Sequence, residues 1–288
     1  MRTTDPKLSP EECKTPIDTR TQPILNAQFS IPNSGRLELE LESIEGVTRA
    51  RRSLAQPPLQ LSRVRYDEPQ QPGTAVFTLL HLGGVLAGDR VAMNVALDAG
   101  ASAQIHMAAA TQVYQMPSGD AQHKLDLRLG AGSALAWLAQ PLILFGGARF
   151  SQSTRVTLAH GARLDLIDVL VPGRLARGEC YQFERYAALL EVYDTAERCL
   201  VAGRTLIEPR RQTPATPGVL GGSPVVGSLY LLGDTIDAER RAAALHSARD
   251  ESIGVTTLPN DAGLLVRALG ATASQVHNQL LEIWRRFQ

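Results

Sequence analysis

The chain has only three cysteines, Cys13, Cys180 and Cys199, among its 288 residues. They are widely spaced and odd in number, so no disulfide framework or Cys-x-x-Cys metal knuckle follows from them. Aromatic residues are sparse at 5%, and neither sign of charge is in excess, with 29 basic against 29 acidic side chains. A balanced surface offers no electrostatic case for a nucleic acid or an anionic lipid as main partner. No apolar run approaches the length that spans a bilayer. The opening MRTTDPKLSPEECKTPIDTRTQP has no apolar stretch of the kind a secretory leader needs. A cytoplasmic location is the expectation. Catalytic signatures are missing too: the six histidines form no His-x-His or His-Glu-x-x-His pair, and there is no nucleophile elbow, Walker loop or dinucleotide fingerprint. The expectation is a protein that is not an enzyme and holds no cofactor tightly.

What the chain does have is glycine-punctuated strand. The segment from Thr78 to Gln115 opens on a turn, HLGGVLAGD, in which Asp89 is the only acid. Val95–Ile105, Leu127–Leu138 and Val156–Ile167 each place a glycine between two alternating apolar stretches. Those glycines, Gly100, Gly132 and Gly161, recur at roughly thirty-residue intervals, the signature of a repeat. The pattern predicts a mainly β fold: an elongated, helicoidal or solenoid-like body of stacked hairpins. Residues 1–33, rich in proline and charge, read as a disordered or extended tail, and residues 34–222 as the β-rich body. Residues 223–288 read as a small C-terminal α+β unit with two helices. One would run from Asp234 or Thr235 to Asp250, and the other would open at Thr272 with Val276, Leu280, Trp284 and Phe287 on one face.

Three acids stand out as candidates: Asp89 in the glycine turn, Asp168 inside the apolar run LDLIDVLVPG, and Glu179 after RLARG. A lone carboxylate among Ile167, Val169 and Leu170 is costly to bury. Either Arg174 or Arg177 pairs with it, or it lines a polar cavity where its oxygens could transiently hold a divalent cation. His81 and His106 could join such a lining or simply be packed. Tyr114, after the small-residue run AAAT, is either a core aromatic or an interface anchor.

Four ordered blocks, LLHLGGVLAGD, AAATQVY, WLAQPLILFGGA and DVLVPGRLARGE, make the chain resemble the urease accessory protein UreD family, called UreH in some organisms. The resemblance implies a maturation chaperone with a β-rich helicoidal body. It would bind UreF and through it UreG, dock on urease apoprotein, and carry Ni2+ as transient cargo along an internal route. By motif, Asp89 and Asp168 match the family's route acids. Gln112, Tyr114, Arg174 and Arg177 become partner-binding candidates, and Glu179, His81 and His106 possible route-lining or structural groups. The chain differs from the family pattern at Gln112, Gln115, Ile167 and the Ala202–Arg204 stretch. Two other readings remain open: a plain interaction module without a metal role, and a β-solenoid carbohydrate hydrolase or lyase using Asp89, Asp168 and Glu179.

Overall fold

The structure is a computed structural model that describes residues 34–66, 71–216, 219–233, 243 and 252–287. Alternating apolar residues over short stretches make strands, and the strands divide between two facing sheets. The first sheet has seven strands, in spatial order β14 (Cys199–Ile207), β13 (Arg185–Asp194), β11 (Arg149–Leu158), β8 (Ala121–Leu129), β5 (Arg90–Leu97), β1 (Ser34–Ile44) and β2 (Val47–Gln56). The main path of the second runs β16 (Ile253–Thr257), β17 (Gly263–Gly270), β15 (Val225–Leu232), β12 (Arg163–Val171), β9 (Ala134–Leu138), β6 (Ser102–Met107), β4 (Ala75–His81) and β3 (Leu59–Leu61). Short strands β7 (Thr111–Val113) and β10 (Leu142–Leu144) pair with each other in parallel, and a Val85–Val113 bridge continues that narrow third side. The chain thus coils through a second-sheet strand, a short third-side segment and a first-sheet strand, then repeats.

Mainly β, solenoid-like stacking is therefore the architecture, but the repeating unit is not a hairpin. β5 and β6, β8 and β9, and β11 and β12 lie in opposite sheets, and each pairs in parallel with the equivalent strand of a neighbouring coil. The turn glycines make arches: Gly100, Gly132 and Gly161 adopt φ of +68°, +64° and +71°, which side chains resist. The arches also bond coil to coil, Gly100 N–H to the Ala131 carbonyl at 2.9 Å and Gly132 N–H to His160 at 3.1 Å. Hairpins and arches need the same glycine; their strands differ only in where they find partners.

The inward faces of both sheets supply the largest core, including Leu37, Leu39, Leu41, Phe77, Ile105, Leu127 and Leu164. β12 is buried on both sides, which explains its near-continuous apolar run. Its outer face is covered by α1 (Ala273–Arg285), capped by the Thr272 side chain, with Val276, Leu280, Trp284 and Phe287 packed on the second sheet. β15, β17 and β16 continue that sheet directly from β12. The tail over 1–33 and, apart from the single helical residue Ala243, the helix expected over 234–250 lie outside the described residues.

Candidate functional site

Parallel stacking in register aligns side chains from different coils into rows. On the inner face of the first sheet one row reads Val91, His123, Gln152, Ala188. On the second, Asp168, Ser228 and Arg267 occupy neighbouring strands at one level. The two rows face each other across a cavity of about 280 Å3, whose lining includes His123, Gln152, Asp168, Tyr186, Ser228 and Tyr230. The lining also includes the exposed Leu189, Arg204 and Arg267, so the cavity opens where β14 faces β17. A space this polar and roomy can hold several waters.

Asp168 is the carboxylate of this cavity. Water reaches it from within, although it lies deep between the sheets. Burial pushes its pKa up, and the Gln152 hydrogen bond and the Arg267 charge offset this only in part. Gln152 Nε2 donates to Asp168 Oδ2 at 3.2 Å and to Tyr186 Oη at 2.9 Å, so one amide orients both groups. Burial, then the neighbouring Asp168 and Tyr230, holds the Tyr186 phenol well above its usual value. Among the described residues Asp168 pairs with neither Arg174 nor Arg177. Arg174 instead binds Glu179, Nη2 to Oε2 at 2.5 Å and Nε to Oε2 at 3.1 Å. The reason is local geometry, since the 310 turn Leu175–Arg177 folds the chain back and brings residues 174 and 179 together.

Further inside, the His123 ring stacks on His81 with centroids 5.3 Å apart and meets Phe150 edge-on at 4.9 Å. Burial, then the neighbouring His81, lowers the His123 pKa to about 3, so the ring is neutral. His81 is lowered as well: burial outweighs a Gly83 backbone group and the Asp89 charge, which both favour protonation. Asp89 is fully buried in the glycine turn and accepts from Leu86 N–H at 2.8 Å. The polar side chains therefore run inward from the Asp168 cavity through His123 and His81 to Asp89. His106 stands apart, paired with Gln104 at 3.1 Å.

Tyr114, Gln112 and Arg174 form a separate surface feature on the third side. Tyr114 donates to Gln112 Oε1 at 3.3 Å and packs edge-on against Phe145 at 5.2 Å, while the Arg174 guanidinium sits 4.6 Å over the same Phe145 ring. Gly84 lies under the Tyr114 ring and leaves no room for a side chain. Exposed Arg177 closes the turn beside Arg174, and Leu82 and Leu86 are exposed in the glycine turn.

Of the three candidate acids, Asp168 alone lines the cavity; Glu179 is locked in its ion pair and Asp89 in its turn. His123, Gln152, Tyr186 and Arg267 were not singled out from sequence. Alternation carries a signal for two of them. His123 shares the inward parity of Leu125, Leu127 and Leu129, and Gln152 that of Phe150, Val156 and Leu158. Among the described residues no three His, Cys, Asp or Glu side chains converge as a metal cage, and no helix is long and apolar enough to cross a membrane.

Fold and site together define a coiled β-scaffold with a polar interior cavity. The family model described as UreD urease accessory protein matches residues 33–288. The urease accessory protein UreD of Haloarcula marismortui is 34% identical over 268 residues, 92% of this chain and 89% of that one. That of Trichormus variabilis is 33% identical over 254 residues, covering 87% and 89%. UreD 2 of Streptomyces griseus is 34% identical over 243 residues, 82% of each. The chain belongs to the UreD family of urease accessory proteins.

Proposed function

We propose that the chain is a urease-maturation scaffold that binds UreF, and through it UreG, docks on urease apoprotein, and passes Ni2+ toward the urease active site without catalysing a reaction. One observation carries the metal role: a water-accessible carboxylate, Asp168, on the wall of an interior cavity. A conduit needs ligands that bind weakly and in sequence, because a tight site would trap the ion. A single carboxylate with one amide donor meets that need, and the neutral rings of His123 and His81 add borderline donors deeper in the body. Asp89 lies at the inner end of this chain of groups. The third-side surface of Tyr114, Gln112, Arg174 and Arg177 is the proposed partner contact, an aromatic anchor with cations beside it.

The test is reconstitution of nickel-dependent urease activation with Asp168→Ala. The expected result is retained complex formation and a loss of activation of about ten-fold or more, since neutralising one conduit ligand costs a few kcal/mol at most. Normal activation by a normally assembled complex would remove Asp168 from the route and leave an interaction module without a metal role.

A further inference from the structure

The two edges of the first sheet are built differently. β2 carries Arg49, Arg51 and Arg52, and its pairing with β1 shifts register between Glu40 and Leu41, features that discourage another strand from adding. β14 reads CLVAGRTLI, with one charge and no proline, and from Val201 onward its register with β13 is regular. In that antiparallel pairing the odd-numbered residues turn their peptide groups toward β13 and the even-numbered ones toward the open side. Asn260 Nδ2 donates to the Leu200 carbonyl from that open side at 2.9 Å. Beyond Leu200, the outward peptide groups of Ala202, Arg204 and Leu206 have no hydrogen-bond partner among the described residues.

The same short stretch rims the cavity. Gly203, Thr205 and Ile207 point inward as lining, opposite Arg267 and Tyr230 of the second sheet. Arg204 and Arg267 form no salt bridge among the described residues. On the outer face Leu206 and Leu189 are 48% and 38% exposed, beside Arg204.

We propose that the open edge of β14 from Ala202 to Leu206 takes an extended, acid-bearing segment of a partner protein as an added strand. Its peptide groups would complete those of Ala202, Arg204 and Leu206. Its outward side chains would set a carboxylate beside Arg204 and an apolar group beside Leu206. Its inward side chains would face the cavity mouth, where a carboxylate meets Arg267. The added strand extends the first sheet across the opening, so the cavity becomes continuous with the partner instead of with bulk water. This rests on the scaffold reading above and specifies how one partner is engaged.

The experiment is amide hydrogen exchange on the full chain, alone and in complex with UreF and with urease apoprotein. Exchange at Ala202, Arg204 and Leu206 is expected to slow about ten-fold or more in one of the complexes. Arg204→Glu should reduce retention of that partner about ten-fold with an unchanged melting temperature. Ala202→Pro with Leu206→Pro deletes two outward donors and no inward one, and should do the same. If the proline variant folds poorly, the exchange pattern and Arg204→Glu decide. A complex that forms while the three amides exchange as in the free chain overturns the inference alone. A wild-type chain that retains neither protein overturns the scaffold reading, and this inference with it.

Discussion

At the scale of single residues the interior is set by groups kept from their usual charge. His123 is buried, and its pKa falls from 6.5 to about 3. The unfolded chain takes up a proton below about pH 6 that the folded ring refuses. The stabilisation this group contributes is therefore complete above 6.5 and lost as pH falls toward 3. The slope is about 1.4 kcal/mol per pH unit within that window. Urea midpoints measured from pH 7 to pH 5 should drop accordingly, and His123→Leu should flatten the drop. Asp168 works with the opposite sign. Its raised carboxyl stabilises the fold below the ordinary carboxylate value, and that contribution is lost as pH rises through the raised one. Asp168→Asn keeps a partner for Gln152 and removes the buried charge. It should melt higher than the wild type at neutral pH while activating urease less, which separates a functional carboxylate from a structural one. A variant that melts lower at neutral pH would contradict this account of the site.

At the scale of elements, helix α1 seals the outer face of the second sheet. Its closest approach is over Gly227 of β15, where an added Cβ would sit 2.5 Å from Val276 Cγ1 and 2.7 Å from Leu280 Cδ1. Trp284 Nε1 donates to the buried Asp165 at 2.9 Å, and the Thr272 hydroxyl accepts from Gln275 N–H. Gly227→Val should force the helix outward and cost about 1–3 kcal/mol by overpacking. Thr272→Ala should cost about 1 kcal/mol through the lost cap. Chemical denaturation of both variants checks the order, with Gly227→Val the more damaging.

These elements were legible in the sequence. The Thr272 cap and the apolar spacing of α1, the strand VVGSLYLL and the glycine rhythm of the arches all appear as local patterns. The parallel pairing did not, because the partners of β8 lie about thirty residues away on either side, and a glycine with positive φ serves a hairpin or an arch equally. The site divides the same way. Asp168 was visible as one acid on an apolar strand. His123 and Gln152 each look like a single packed polar residue until the register sets them side by side. The Arg174–Glu179 pair is not legible in the sequence, because only the 310 turn Leu175–Arg177 decides which acid Arg174 meets.

At the scale of the whole molecule, coiling gives the scaffold two corners of different make. The arches at one corner are glycine turns bonded to one another, and what they expose is small or polar: Asp98, Ala99, Ala131 and His160. The opposite connections carry HLGGVLAGD, the Tyr114 segment, Phe145 and Arg174, and they expose Leu82 and Leu86 at 48% and 36%. An anchor aromatic with apolar neighbours and cations at its edge is how a protein contact concentrates binding energy. Leu82→Asp with Leu86→Asp tests that face cleanly, because both side chains are exposed in the free chain and neither belongs to the buried cores. The melting temperature should stay within about 2 °C of the wild type, as surface substitutions away from structural features move stability by ~0.5 kcal/mol at most. Co-purification with UreF should fall about ten-fold or more, and urease activation with it. Binding to urease apoprotein alone, measured without UreF, should be kept if the two partners use different surfaces. Loss of both together would mean that the third side carries the entire assembly, and undiminished UreF retention would remove Leu82 and Leu86 from the contact.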